Sequence, residues 1–227
     1  MYFDYYYLVL VVPTLILSVI AQCMVKSTFS KYSRIRCTKN ITGRDAARLI
    51  MDTNSITNVK VEPVKGSLTD HYDPGRKMLR LSEPVYSRPS IAAVGVAAHE
   101  AGHAIQHAKG YAPLVLRSTL VPVANIGSSL GPWMAIAGIF FSVPLLINIG
   151  ILLFGGAVIF YVITLPVEFN ASARAIAILR KGNILTGEEL RGVKKVLTAA
   201  ALTYVASALT AIMSFLRLIL ISRGNRR

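Results

Sequence analysis

Between Arg117 and Glu168 the chain runs for 50 residues without a charged side chain. As one continuous helix that run would be about 75 Å long, far more than the ~30 Å hydrocarbon core of a bilayer requires. It therefore predicts two spanning helices folded back as a hairpin, at 119–141 and 146–166, with Ser142-Val143-Pro144 near the turn. The alternative is a buried soluble core, but soluble helices seldom lack charge for so long. Composition points the same way. Of the 227 residues 53% are apolar and only 16% charged, where an ordinary soluble domain carries roughly 25% charged residues. A disordered chain would lack this hydrophobicity, and two cysteines are too few for a disulfide-stapled secreted domain.

A second uncharged run, Leu8 to Val25, follows Tyr5-Tyr6-Tyr7 and ends at Lys26. It predicts one spanning helix that tolerates Pro13. A signal peptide fits less well, because no basic residue precedes the run and no small-x-small cleavage site follows it. Lys26, Lys31, Arg34, Arg36 and Lys39 come directly after, whereas only Asp4 is charged before. The positive-inside bias then places the N-terminus outside and the next domain in the cytoplasm. The +14 formal charge reads as this orientation signal and as an anionic-lipid contact, not as a nucleic-acid surface, for which no motif is present. A last run, Val196 to Leu216, is uncharged but diluted by Thr198, Thr203, Ser207, Thr210 and Ser214. Its length favours a fourth span, although that would put Arg223, Arg226 and Arg227 outside, against the bias; packing at the membrane face is the alternative.

The water-facing part is 26–117, with 15 basic and seven acidic residues. Gly43 to Met51 reads as a helix capped by Thr42. Asn58 to Val64 alternates like a strand. Leu68 to Tyr72, the turn Asp73-Pro74-Gly75, and Lys77 to Ser82 suggest a hairpin. Ser90 to Ala108, rich in alanine and closed by Gly110, reads as a helix.

That last helix carries His99-Glu100-Ala101-Gly102-His103. Positions four apart share a helical face, so this HExxH pattern directs both imidazoles at a single Zn²⁺, with Glu100 placed to act on the metal-bound water. Zinc lowers the pKa of that water and polarises a peptide carbonyl; the glutamate takes the proton and returns it to the leaving amine. Uncharged flanks and the absence of proline within the motif strengthen the pattern over two incidental histidines on an amphipathic helix.

A catalytic zinc has three protein ligands and one open position. The metzincin pattern HExxHxxGxxH is excluded, because its glycine and third histidine fall on Gln106 and Lys109. His107 lies eight residues beyond His99, about 12 Å along the axis, and is better read as a structural or pocket residue. Glu168 is the first charge after the apolar hairpin, and an isolated acid at the edge of a span is costly unless solvated, paired or coordinated. It is favoured as third ligand over Glu188 and Glu189, which look like ordinary first-turn acids beside Gly187.

Leu68-Thr69-Asp70-His71-Tyr72-Asp73-Pro74, Leu79-Arg80-Leu81-Ser82, Val85-Tyr86, Ala97 to His107, and Leu165-Pro166-Val167-Glu168-Phe169 together resemble the YugP-type bacterial membrane zinc metallopeptidases, nearly end to end. More distantly they resemble the HtpX and CAAX-prenyl-protease group of gluzincins. The resemblance implies a small cytoplasm-facing zincin module with His99, His103 and Glu168 as ligands of one zinc ion and Glu100 as base. One departure stands out: many gluzincins carry an Asp four residues after the ligand glutamate to orient a zinc-bound histidine, and here that position is Ser172. Either its hydroxyl takes the task or another acid does, such as Asp70 or Asp73. For stabilising the tetrahedral intermediate the candidates are His71, Tyr72 and Arg174, each with a surface or packing role as the alternative.

The expected architecture is a mainly α membrane protein with a small α+β zincin-like module and three to four transmembrane helices. Its segments are an N-terminal span (1–25), the module (26–117), the two-span hairpin (118–167), a third-ligand helix with a connecting helix (168–195), and a C-terminal hydrophobic helix with a basic tail (196–227). The expected activity is zinc-dependent endopeptidase cleavage of membrane or membrane-proximal proteins, with the bilayer and a peptide substrate as partners. The outer strand of the hairpin is the candidate edge for pairing with an extended substrate. A non-catalytic zinc-binding scaffold is the alternative. A transporter is disfavoured because no charge lines the central apolar hairpin. Cys23 and Cys37 are placed unsuitably for a structural disulfide.

Overall fold

The computed structural model describes residues 5–224; Asp4, Arg226 and Arg227, which entered the charge argument above, lie outside the described residues. Helix α1 covers Val12–Ser33 and continues without a break from π-helical Tyr7–Val11. Then come α2 (Gly43–Thr53), β1 (Lys60–Val64), β2 (His71–Asp73), β3 (Met78–Ser82), α3 (Glu83–Tyr86), α4 (Ile91–Ala108), α5 (Ala112–Phe140), α6 (Pro144–Lys181) and α7 (Gly187–Gly224). Among the described residues, four helices are long and apolar enough to cross a membrane: Tyr7–Ser33, Ala112–Phe140, Pro144–Lys181 and Gly187–Arg223. The protein is thus a mainly α membrane protein with a small sheet, and the hydroxyl-diluted last run belongs to a helix of spanning length.

The chain divides into two compact units. One takes in the chain up to Ala21, Val115–Pro166 and the chain from Leu202 on. Within it the apolar hairpin turns at Phe141-Ser142-Val143, with Ser142 at positive φ. Small residues let its arms close: a Cβ on Gly131 would stand 3.0 Å from the Gly150 carbonyl oxygen. Large apolar side chains such as Trp133, Phe140 and Leu152 face outward, as lipid-exposed helices require and soluble ones avoid. In the same unit Arg217 of α7 stacks on the Tyr7 ring.

The other unit is Gln22–Leu114 with Val167–Ala201. Its core gathers Ile50, Leu79, Leu81, Val85, Val94, Ile105, Leu179 and Val193. The residue patterns explain the elements. Thr42 accepts the Asp45 N–H and starts α2, and Ser90 accepts the Ala93 N–H and starts α4, each satisfying a donor that the first helical turn leaves open. In β3, Leu79 and Leu81 point into the core at the two-residue period of a strand. The sheet order is β1-β3-β2, with β2 antiparallel to β3 and β1 parallel to it. The hairpin forms, but its outer strand is His71–Asp73 rather than Leu68 to Tyr72, and Asp73, expected in the turn, pairs with Met78. Pro63 in β1 fits an edge position, where a missing N–H costs no ladder bond.

One connection differs from expectation. The segment carrying Glu168 is not a helix of its own: α6 runs unbroken from the second arm of the hairpin, through Pro166, to Lys181. Glu188 and Glu189 stand in the first turn of α7 as expected, and Glu189 does more. Its carboxylate accepts the Thr186 N–H (2.7 Å), the Thr38 N–H (2.6 Å) and the Thr38 hydroxyl (2.9 Å), so it closes a capping box on α7 and ties down the loop after α1. That loop is also stitched to the start of α4, Cys37 N–H donating to the Pro89 carbonyl and Ile91 N–H to that of Ile35. Neither cysteine forms a disulfide.

Candidate metal centre

The His99–His103 motif occupies the middle of α4, where both imidazoles emerge on one face with ring centroids 4.8 Å apart. Glu168 arrives from α6. Its Oε2 lies 3.2 Å from His99 Nε2 and 3.6 Å from His103 Nε2, and the three ligand atoms all fall within 4.8 Å of one another. The approach depends on Gly102. A Cβ there would sit 2.9 Å from the Ala171 carbonyl oxygen and 3.3 Å from its Cα, so only glycine lets α6 pass this close to α4. Two imidazole nitrogens and one carboxylate oxygen converging on a point form a donor set that suits Zn²⁺. Glu168 is 2% exposed, and a carboxylate buried so deeply requires cationic or coordinating partners.

The far side of each ring is also held. His103 Nδ1 meets Gln106 Oε1 at 2.9 Å. The Gln106 amide donates to the Val167 carbonyl (2.9 Å) and to Asn170 Oδ1 (3.0 Å), and the latter accepts Arg174 Nε–H at 2.6 Å. This chain fixes a tautomer. Arg174 can only donate, so the Asn170 atom facing it is oxygen; the Gln106 atom facing Asn170 is then nitrogen, and the one facing His103 is oxygen. His103 must therefore carry its proton on Nδ1, leaving the Nε2 lone pair directed at the cluster. His99 Nδ1 instead meets the Ser172 hydroxyl at 3.1 Å, a group that can donate or accept.

Glu100 is buried at 8% exposure, and its charge acts on both His103 and Asp70. Burial opposes charging of the His103 imidazole, but the carboxylates of Glu168 and Glu100 outweigh it and raise its pKa above the ordinary histidine value. Burial pushes Asp70 upward against the hydrogen bonds it receives from the Ser82 N–H and hydroxyl, and the nearby Glu100 charge adds to the rise.

The remaining sequence candidates hold other partners. The Tyr72 hydroxyl and His107 Nδ1 are 2.8 Å apart. His71 contacts the Thr69 carbonyl through Nδ1 and Arg80 through Nε2. Asp73 pairs with Arg76 and Arg80. Arg174 binds Asn170 and lies over the Tyr111 ring. Of the groups weighed for orienting a histidine, it is the Ser172 hydroxyl that reaches one. Gln106 is a site residue that the HExxH pattern does not single out. Its position three residues after His103, on the same helical face, was the available signal for a second orienting group.

Against known families, residues 7–223 match the model described as "Putative neutral zinc metallopeptidase". The chain belongs to this family. A relative in Bacillus subtilis (strain 168), "Putative membrane protease YugP", is 48% identical over 220 residues, 97% of this chain and 98% of the relative. No solved structure matches. Family membership agrees with the nitrogen and oxygen donor set in α4 and α6.

Proposed function

We propose that this member of the neutral zinc metallopeptidase family is a membrane-anchored endopeptidase of gluzincin type, holding one zinc ion through His99, His103 and Glu168. The observation that carries the reading is the approach of both histidine Nε2 atoms to a single oxygen of Glu168, at 3.2 and 3.6 Å. Zinc, when bound, polarises the scissile carbonyl and acidifies water. Glu100 is the general base: it accepts a proton from the attacking water and delivers it to the leaving amine. Its burial keeps that proton from bulk solvent. Gln106 and Ser172 orient the two imidazoles, and Gly102 sets the spacing between the helices that carry the ligands.

The substrate is a membrane or membrane-proximal protein, presented as an extended segment along the edge of the three-stranded sheet. The basic cluster after the first span supports a cytoplasm-facing module. The decisive test is Glu100→Gln. Peptide hydrolysis should fall by about 10²–10⁴-fold while zinc stays bound, and chelation should abolish the activity of the parent. A variant that cleaves at the parental rate would overturn the assignment.

A further inference from the structure

Away from the metal cluster, a groove of about 700 Å³ runs between the end of α1 and the beginning of α7. Gly192 makes it possible: a Cβ there would meet the Tyr32 ring at 2.7 Å, so α7 can lie against that ring and leave a channel beside it. Met24, Ser27 and Lys31 of α1 line one wall, and Arg191, Lys195 and Thr198 belong to the other. On each helix these positions follow i, i+3 or i+4, i+7, the stripe of a single face. The two helices run so that their chemistry coincides. On α1 the order is apolar then basic, Met24 to Lys31; on α7 it is basic then apolar, Arg191 to Ala199. The contact of Tyr32 with position 192 brings the basic ends together.

The groove is therefore amphipathic along its length. At one end are Lys31, Lys194 and Lys195, with Arg191 held by the exposed Glu188 at 2.8 Å. At the other are Met24, 42% exposed, and the exposed Thr198, with the buried Ala199 behind them. Among the described residues no carboxylate lines it. The apolar end coincides with the uncharged runs of both helices, which stop at Val25 and begin at Val196.

We propose that this groove binds an anionic glycerophospholipid, its phosphate held by Lys31, Lys194 and Lys195 and its acyl chain lying along Met24 and past Thr198. An isolated phosphate would satisfy the lysines but leave the apolar end without a purpose. The proposal is independent of the peptidase reading, since no groove residue belongs to the metal cluster.

The test is native mass spectrometry of the full-length protein in detergent, with equal dioleoylphosphatidylglycerol and dioleoylphosphatidylcholine. The parent should retain the phosphatidylglycerol preferentially. Lys31→Gln/Lys194→Gln/Lys195→Gln should lose retention by about fivefold per lysine, whereas Arg48→Gln/Lys60→Gln/Lys65→Gln, which removes the same charge elsewhere, should retain it. Should the groove triple variant fail to fold, Thr198→Phe obstructs the apolar end with every charge intact and should lower retention likewise. Equal retention of both lipids by the parent would overturn the proposal. So would equal loss in the two triple variants, unchanged retention in Thr198→Phe, or complete stripping of the lipid by excess inorganic phosphate.

Discussion

Gln106 Oε1 stands 2.9 Å from His103 Nδ1, one helical turn further along α4. The relay behind it, through Asn170 to Arg174, leaves the amide no alternative orientation. His103 is thus presented with a proton on Nδ1 and with Nε2 turned to the cluster before any metal arrives. Gln106→Leu keeps the side-chain volume but removes the acceptor. Zinc affinity should fall by about 10–100-fold, measured by competition with a chromogenic chelator; an unchanged affinity would show that the ring needs no such support.

Ser172 supports His99 less strictly, because a hydroxyl accepts either tautomer. Ser172→Ala should weaken zinc binding by about tenfold, the low end of the range for an outer partner. Ser172→Asp adds an acceptor that permits only the Nδ1–H tautomer and should bind zinc more tightly than Ser172→Ala. The reverse order in the same titration would contradict this account of His99.

Gly102→Ala tests the helix crossing. Alanine favours the helix by ~1 kcal/mol over glycine, but its Cβ meets the Ala171 backbone at 2.9 Å, and overpacking costs about 1–3 kcal/mol. A net loss of stability is expected, together with reduced zinc stoichiometry, because α6 carries Glu168 and Ser172 on either side of the contact. Thermal unfolding and metal analysis on the same preparation would read both; a stabilised variant with full zinc would refute it.

In the metal-free protein the raised pKa of His103 predicts a definite pH dependence. A group whose folded pKa exceeds its unfolded value of roughly 6.5 stabilises the fold fully below that value and loses its contribution as pH rises through the folded pKa. Chelator-treated protein should therefore unfold at a lower temperature at pH ~8 than at pH ~6. Zinc replaces the proton, so the loaded protein should show a smaller fall. Calorimetry on both forms decides; equal falls would dissociate His103 from the metal.

Tyr72 is bonded to His107, which makes its role one of fastening the hairpin to α4. Tyr72→Phe should cost about 1 kcal/mol of stability and leave kcat within a few-fold of the parent. A loss of two orders of magnitude in kcat without a change in zinc content would instead assign the hydroxyl to the reacting oxygen.

The uncharged runs determined the membrane class of this protein by themselves, because a helix without charge over such lengths has few alternatives to lipid. Spacing alone placed His99 and His103 on one face, since a helix repeats every 3.6 residues, and the local capping of Thr42 and Ser90 was equally legible. Tertiary structure decided what sequence distance conceals. Glu168 is 69 residues from His99, and its meeting with both imidazoles rests on a glycine contact that no periodicity reveals. The Val167 and Asn170 contacts of Gln106 and the Thr38 contact of Glu189 are of the same kind. Each is a pairing between segments far apart in the chain, where local preference is silent and only packing chooses the partner.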